Sequence, residues 1–189
     1  MRILLIDDHA LFRIGLQELL ERRGIDVIAA LGDCREGIER ACTDRPDVVL
    51  LDLRMPDMNG IEVLQELRRR NLQMPIAMLT TSREEQDVIN SLQYGAQGYL
   101  LKDMEPDELI TALRDIVAHG GQLEGHQLGA GTLDRFHVAG IVIEVDFEIG
   151  EKTLGFLRNR HGQAIDVECF GKAVFSGEVV DHRQMGGRV

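Results

Sequence analysis

Residues 47–60 read DVVLLDLRMPDMNG, and the two halves of this stretch obey different rules. Val48, Val49, Leu50 and Leu51 form an unbroken aliphatic run. As a strand, that run puts apolar side chains on both faces of a sheet, which requires cover on both sides. It stops at Asp52, and Pro56 and Gly60 beyond it are turn formers that shape a loop. The pattern is a carboxylate at the mouth of a fully covered strand.

Working outward, similar runs recur at Arg2–Ile6, Asp26–Leu31, Pro75–Thr80 and Gly98–Leu101, with the central one at Asp47–Leu51. Amphipathic helical patterns fill the gaps. Strands alternating with helices predict an α/β fold, a doubly wound five-stranded parallel sheet. The first helix should begin near Leu11 and turn Leu11, Ile14, Leu16, Leu19 and Leu20 to one side. Asp33 with Glu36, and Ser82 with Glu85, have capping-box spacing and place the starts of the second and fourth helices. Pro106 followed by Asp107 and Glu108 opens a fifth helix, with Leu109, Leu113, Ile116 and Val117 inward and Gly120-Gly121 at its end.

Residues 1–121 therefore read as one domain and residues 122–136 as a Gly-rich linker. Residues 137–189 follow a different period. Ile141, Ile143, Val145, Phe147 and Ile149 alternate with polar neighbours, and Ala164–Phe170 and Ala173–Val180 are joined through Gly171-Lys172, a plausible hairpin connection. This predicts a small, mainly β C-terminal unit. Leu123-Glu124 ahead of the glycines also fits an appended extension.

Charge bounds the function. The chain of 189 residues carries a net −11, made of −8 over residues 1–122 (14 Lys/Arg, 22 Asp/Glu) and −3 over residues 123–189 (7 against 10). Phosphate neutralisation drives nucleic-acid affinity, so direct DNA binding is disfavoured. Cys34, Cys42 and Cys169 suggest neither a disulfide framework nor a CxxC metal site. No run approaches a membrane span and no signal peptide is evident, so a cytoplasmic protein without membrane insertion is expected.

In a doubly wound sheet, ligands bind beyond the carboxyl ends of the strands. Asp7 and Asp8, Asp52, Thr80 and Lys102 all fall at such ends. Crowded carboxylates repel one another unless a cation intervenes, and oxygen ligation at a phosphate-handling site suits Mg²⁺. A carboxylate nucleophile, an ammonium to offset phosphoryl charge and a hydroxyl to bind the product are the parts needed for phosphoryl transfer. His9 adjoins the acidic pair, but an ionised Asp needs no general base, so a place at the loop edge or helix start suits it better. His126, His137, His161 and His182 lack ligand spacing.

The segments LLIDDH, VVLLDLRMPDMNG, MLTTS and GAQGYLLKD together resemble the receiver domain of bacterial two-component response regulators, over residues 1–121. YLLKDMEPDEL further resembles the nitrate-response, LuxR-type branch, whose members usually carry a C-terminal helix-turn-helix. The resemblance implies a flavodoxin-like fold, with Asp52 as phosphoacceptor and a phosphohistidine on a sensor histidine kinase as donor. It implies Mg²⁺ held by Asp8, Asp52 and the backbone carbonyl of Arg54, with Asp7 acting through water. Lys102 would pair with the acyl phosphate, Thr80 would hydrogen-bond it, and Tyr99 would be a switch whose ring moves inward. The result would be a signalling switch with self-dephosphorylation chemistry rather than a metabolic enzyme.

Residues 123–189 offer neither the helices nor the basic face of a helix-turn-helix. VIEVDFEIGEKTL and GQAIDVECFGKAVFSGEVV are similar to the small dimerising β domains of flagellar-switch and type III secretion ring proteins. The expected output is a protein partner or a homodimer. The alternative is a DNA-binding transcriptional regulator of the nitrate-response type with an unrecognised, replaced or truncated output domain. A haloacid-type phosphatase would want a second Asp where Arg54 stands.

Overall fold

The computed structural model describes residues 1–119 and, beyond them, the backbone of residues 133–138, 141–147, 154–159 and 164–165. Five strands alternate with five helices: β1 (Arg2–Ile6), α1 (Ala10–Arg22), β2 (Asp26–Leu31), α2 (Cys34–Asp44), β3 (Val48–Asp52), α3 (Gly60–Arg69), β4 (Ile76–Thr80), α4 (Glu85–Gln93), β5 (Gly98–Leu101) and α5 (Pro106–His119). The strands pair in parallel in the order β2-β1-β3-β4-β5. The sheet therefore grows in opposite directions from β1, and a crevice opens where the order reverses, beyond the carboxyl ends of β1 and β3.

Alternation along the strands sorts the core into two layers. Leu4, Ile6, Val49, Leu51, Met78 and Tyr99 pack under α2, α3 and α4 through Ile38, Val63, Leu64, Leu67 and Val88. Ile3, Leu5, Val48, Leu50, Ala77, Leu79 and Leu100 pack under α1 and α5 through Leu16, Leu20, Leu109, Leu113 and Ile116. Every residue of β3 is buried, as its aliphatic run requires.

The inner face of α1 departs from expectation. Phe12, Leu16, Leu19 and Leu20 face the core, whereas Leu11 and Ile14 are exposed, at 85% and 55%. At about 100° per residue the first four share roughly 100° of arc, and Ile14 lies nearly opposite its centre. The start of α4 also differs. Its N-cap is Glu84, with no side-chain cap, and Ser82 lies ahead of it with its hydroxyl donated to Asp87 at 2.5 Å. The Asp33 cap of α2 forms as predicted, accepting from the Glu36 N–H at 2.8 Å.

A full capping box that sequence spacing did not bring forward opens α3. Asn59 accepts from the Glu62 N–H at 3.0 Å, and the Glu62 side chain accepts from the Asn59 N–H at 2.8 Å. Gly60 is thus the first helical residue rather than a simple turn former. A Cβ there would stand 2.3 Å from the Asp52 carbonyl oxygen and 2.8 Å from Leu53 Cα. The helix start is pressed against the strand end that carries Asp52.

At the far end of the sheet, the half-buried Arg68 guanidinium donates to the carbonyls of Leu72, Met74 and Gly95 and to Gln97 Oε1. Burial lowers its pKa to about 10. Gln97 Oε1 also accepts from the Ile76 N–H at 2.9 Å, so one clasp ties α3 to the entries of β4 and β5.

Beyond α5, β6 (Leu133–Val138) lies parallel to β5, and β7 (Ile141–Phe147), β8 (Leu154–Asn159) and β9 (Ala164–Ile165) follow antiparallel. β7 falls where the period-two pattern was read. Apart from Ala164–Ile165, the expected pair Ala164–Phe170 and Ala173–Val180 lies outside the described residues.

The Gly60 contact is testable. Backbone atoms cannot swing aside as a flexible side chain can, so Gly60→Ala should destabilise the protein by about 1–3 kcal/mol in urea denaturation. A cost below about 0.5 kcal/mol would show that β3 and α3 separate freely.

Candidate functional site

The strand ends deliver the predicted groups to one pocket. Asp7 follows β1, Asp52 closes β3, Thr80 closes β4 and Lys102 follows β5. Asp7 and Thr80 are fully buried and Asp52 is 3% exposed. Each position is held by backbone: the Asp7 N–H donates to the Leu31 carbonyl and the Lys102 N–H to the Thr80 carbonyl, both at 2.9 Å.

The Lys102 ammonium stands 2.9 Å from Asp52 Oδ2 and 2.8 Å from Asp7 Oδ2. The ammonium thus ion-pairs with both carboxylates, donating a hydrogen bond to Asp52 Oδ2. Asp7 Oδ2 and Asp8 Oδ1 are both shielded from solvent and lack a hydrogen-bond donor. Asp7 Oδ1 accepts from the His9 N–H at 2.8 Å, and Asp52 Oδ1 from the Arg54 N–H at 3.3 Å. His9 is the N-cap residue of α1, without a side-chain cap.

Ligand atoms of Asp7, Asp8, His9 and Asp52 lie within 4.8 Å of one another. Carboxylate oxygens gathered this closely, with the shielded Asp8 Oδ1 lacking a donor among the described residues, are a set that a hard divalent cation satisfies, and the oxygen-rich donors fit Mg²⁺. Burial is the main cause that raises the Asp52 carboxyl above the ordinary range, and Asp7 adds to it, while Lys102 and the Arg54 N–H oppose it. For Lys102, burial acts to lower the pKa, but Asp52 and Asp7 outweigh it and the net shift is upward.

Thr80 and Tyr99 lie one step away from the carboxylates. Thr80 Oγ1 accepts from the Ser82 N–H at 3.0 Å, and no described hydrogen bond joins it to Asp52. The Tyr99 ring is already fully buried, with its hydroxyl donating to the Ser82 carbonyl at 3.1 Å, so the expected inward movement has no outward starting point here. The ring belongs to the layer under α2–α4, and burial raises its pKa to about 12.

Sequence reasoning missed the residues around Ser82. Arg54 Nη2 donates to Asp87 Oδ2 at 2.6 Å, the oxygen that also takes the Ser82 hydroxyl. It also missed Phe12, whose ring centroid lies 4.7 Å from Lys102 Nζ. None of these pairings has a sequence period; a cation near an aromatic face is readable only once α1 and β5 are packed.

The fold and this pocket define a phosphoacceptor-type receiver, and the chain belongs to the response regulator receiver domain family, which matches residues 3–114. Members of this family act in two-component systems, take a phosphoryl group on an aspartate, bind Mg²⁺ at the acidic pocket and work with histidine kinases. The similarity runs to the nitrate branch. The chain is 45% identical over 117 residues to the nitrate/nitrite response regulator protein NarL of Escherichia coli (strain K12), covering 61% of this chain and 54% of that one. It is 34% identical over 131 residues to the DNA-binding transcriptional activator DevR/DosR of Mycobacterium tuberculosis, covering 69% and 60%. A LuxR-family two-component response regulator from Aurantimonas sp. SI85-9A1 superposes with a TM-score of 0.59 at 34% identity, over 62% of this chain and 84% of that one. The chain spans about half the length of the NarL protein it matches.

The Asp52 shift has a sign that can be measured. A carboxyl that holds its proton more tightly when folded gives stability that is present at low pH and lost as pH rises from the ordinary carboxylate range through the raised folded value. Asp52→Asn removes that loss, and Lys102 keeps Asp7 as a partner. The variant should therefore outlast wild type in urea at neutral pH, with the gap closing on acidification. A gap that is absent or widens in acid would contradict the assignment.

Proposed function

We propose that this chain is a signalling switch that accepts a phosphoryl group onto Asp52 from a sensor histidine kinase. The observation that carries the reading is the Lys102 ammonium set between two buried carboxylates, one of them Asp52. A carboxylate oxygen of Asp52 forms a bond to phosphorus as the P–N bond to the donor imidazole breaks, and the electron pair leaves with the imidazole nitrogen. Lys102 offsets charge on the phosphoryl oxygens. Asp8, Asp52 and the Arg54 carbonyl would hold Mg²⁺, with Asp7 acting through water, and the ion when bound supplies further neutralisation of that charge.

Ser82 supports a route outward. Its N–H is held by Thr80 Oγ1, its carbonyl by Tyr99 and its hydroxyl by Asp87, which Arg54 also grips. Drawing the Thr80 hydroxyl toward a phosphoryl group releases the Ser82 N–H, and the β4–α4 segment then repacks. Thr80 and Tyr99 are thus the switch pair, with Tyr99 reporting through its bond to Ser82 rather than by an inward swing.

In this reading residues 1–121 are the receiver, residues 122–136 the connection, whose last residues enter β6, and the rest the output unit. A protein partner or a second copy would read the switch, in the cytoplasm; among the described residues no helix is long and apolar enough to cross a membrane. A second reading, regulation through DNA, is favoured by the relative named as a DNA-binding transcriptional activator. The negative charge of residues 123–189 bears on those residues alone and does not carry a case against it.

With a small phosphodonor and Mg²⁺, wild type should gain one acid-labile phosphoryl group by intact mass and Asp52→Asn none; no gain in wild type would sink the proposal. Thr80→Val should still be phosphorylated but should lose any accompanying change in oligomeric state or salt-sensitive DNA retention. Mg²⁺ at about a hundred times its Kd should add about 2.7 kcal/mol to wild-type stability, a gain that Asp8→Asn forfeits.

A further inference from the structure

The first turn of α1 is tied to the pocket. The His9 N–H donates to Asp7 Oδ1, and the Arg13 guanidinium reaches back to the Asp7 carbonyl oxygen. Between these two anchors stands Phe12, half-buried against the layer under α1 and α5. Its ring centroid lies 4.7 Å from Lys102 Nζ, inside the range where an aromatic face attracts a cation. Lys102 is 10% exposed, so water screens that attraction little.

We infer that Phe12 is a positioning residue for phosphoryl transfer, whose ring face holds the Lys102 ammonium against Asp7 and Asp52. The inference rests on the role proposed for Lys102 above. A lysine side chain has four rotatable carbons, and two carboxylates on one side do not restrain its swing toward α1. An aromatic face on that side closes the cage without adding a competing hydrogen-bond acceptor. The ring is carried by a helix turn anchored at Asp7, so cage and carboxylate move together. Lys102 is the only lysine before Lys152, and the cage is therefore built around the one lysine side chain of the receiver.

The experiment uses the full chain and the variants Phe12→Leu, which keeps bulk without a π face, and Phe12→Tyr, which keeps both. With ¹³C-lysine labelling the chain shows three lysine signals, from Lys102, Lys152 and Lys172, and Lys102→Arg identifies one. The Lys102 ε-methylene protons should be shifted upfield by the ring in wild type and Phe12→Tyr, and should return to ordinary positions in Phe12→Leu. Phosphorylation by a small phosphodonor should slow roughly three- to tenfold in Phe12→Leu and stay within about twofold of wild type in Phe12→Tyr. Equal rates in all three proteins, equal slowing in both variants, or a Lys102 signal indifferent to Phe12→Leu would each overturn the inference. If wild type forms no aspartyl phosphate, the phosphoryl-transfer reading and the catalytic role of Phe12 fall together, while the ring shift still reports separately whether the cage exists.

Discussion

One ammonium between two buried carboxylates organises the active end of this molecule. Asp7 and Asp52 are nearly inaccessible to water, and without a cation between them their mutual repulsion and desolvation would oppose the packing of β1 beside β3. Lys102 supplies that cation from β5, across the width of β4. The arrangement is only partly satisfied, since Asp8 Oδ1 lacks a donor among the described residues. With three carboxylates gathered against one ammonium, the site gains from a further cation.

The rest of the receiver keeps those three groups in place. The aliphatic strands are covered on both faces, so the sheet cannot shift register without exposing a whole layer. Gly60 lets α3 begin in contact with the Asp52 carbonyl, and the Asn59–Glu62 box fixes where it begins. At the opposite end Arg68 clamps the entries of β4 and β5.

The loop after β4 is where several of the side-chain bonds near the pocket converge. Ser82 takes part in bonds to Thr80, Tyr99, Asp87 and Glu84, and Asp87 is shared with Arg54, which follows the phosphoacceptor candidate by two positions. Arg54, whose N–H donates to Asp52 Oδ1, connects that carboxylate to Ser82 by way of Asp87, while Thr80 Oγ1 holds the Ser82 N–H from the other side. The two connections meet on one residue.

Much of this was legible in the sequence. Aliphatic runs announced five covered strands, and polar residues at their ends announced the pocket, because burial dictates residue type along a strand and the parallel topology dictates which ends meet. Asp7, Asp8, Asp52, Thr80 and Lys102 follow from that logic alone. What the sequence could not decide were contacts that depend on rotation and packing. Leu11 and Ile14 have the composition of core residues, yet the phase of α1 points them outward. Ser82 has the spacing of a helix cap, yet Asp87 takes its hydroxyl. Tyr99 was expected to move inward, yet its ring is already buried. Phe12 against Lys102 and Arg54 against Asp87 join residues far apart in the chain through side-chain directions that only the assembled sheet and helices set, since no local periodicity encodes where two long side chains will meet.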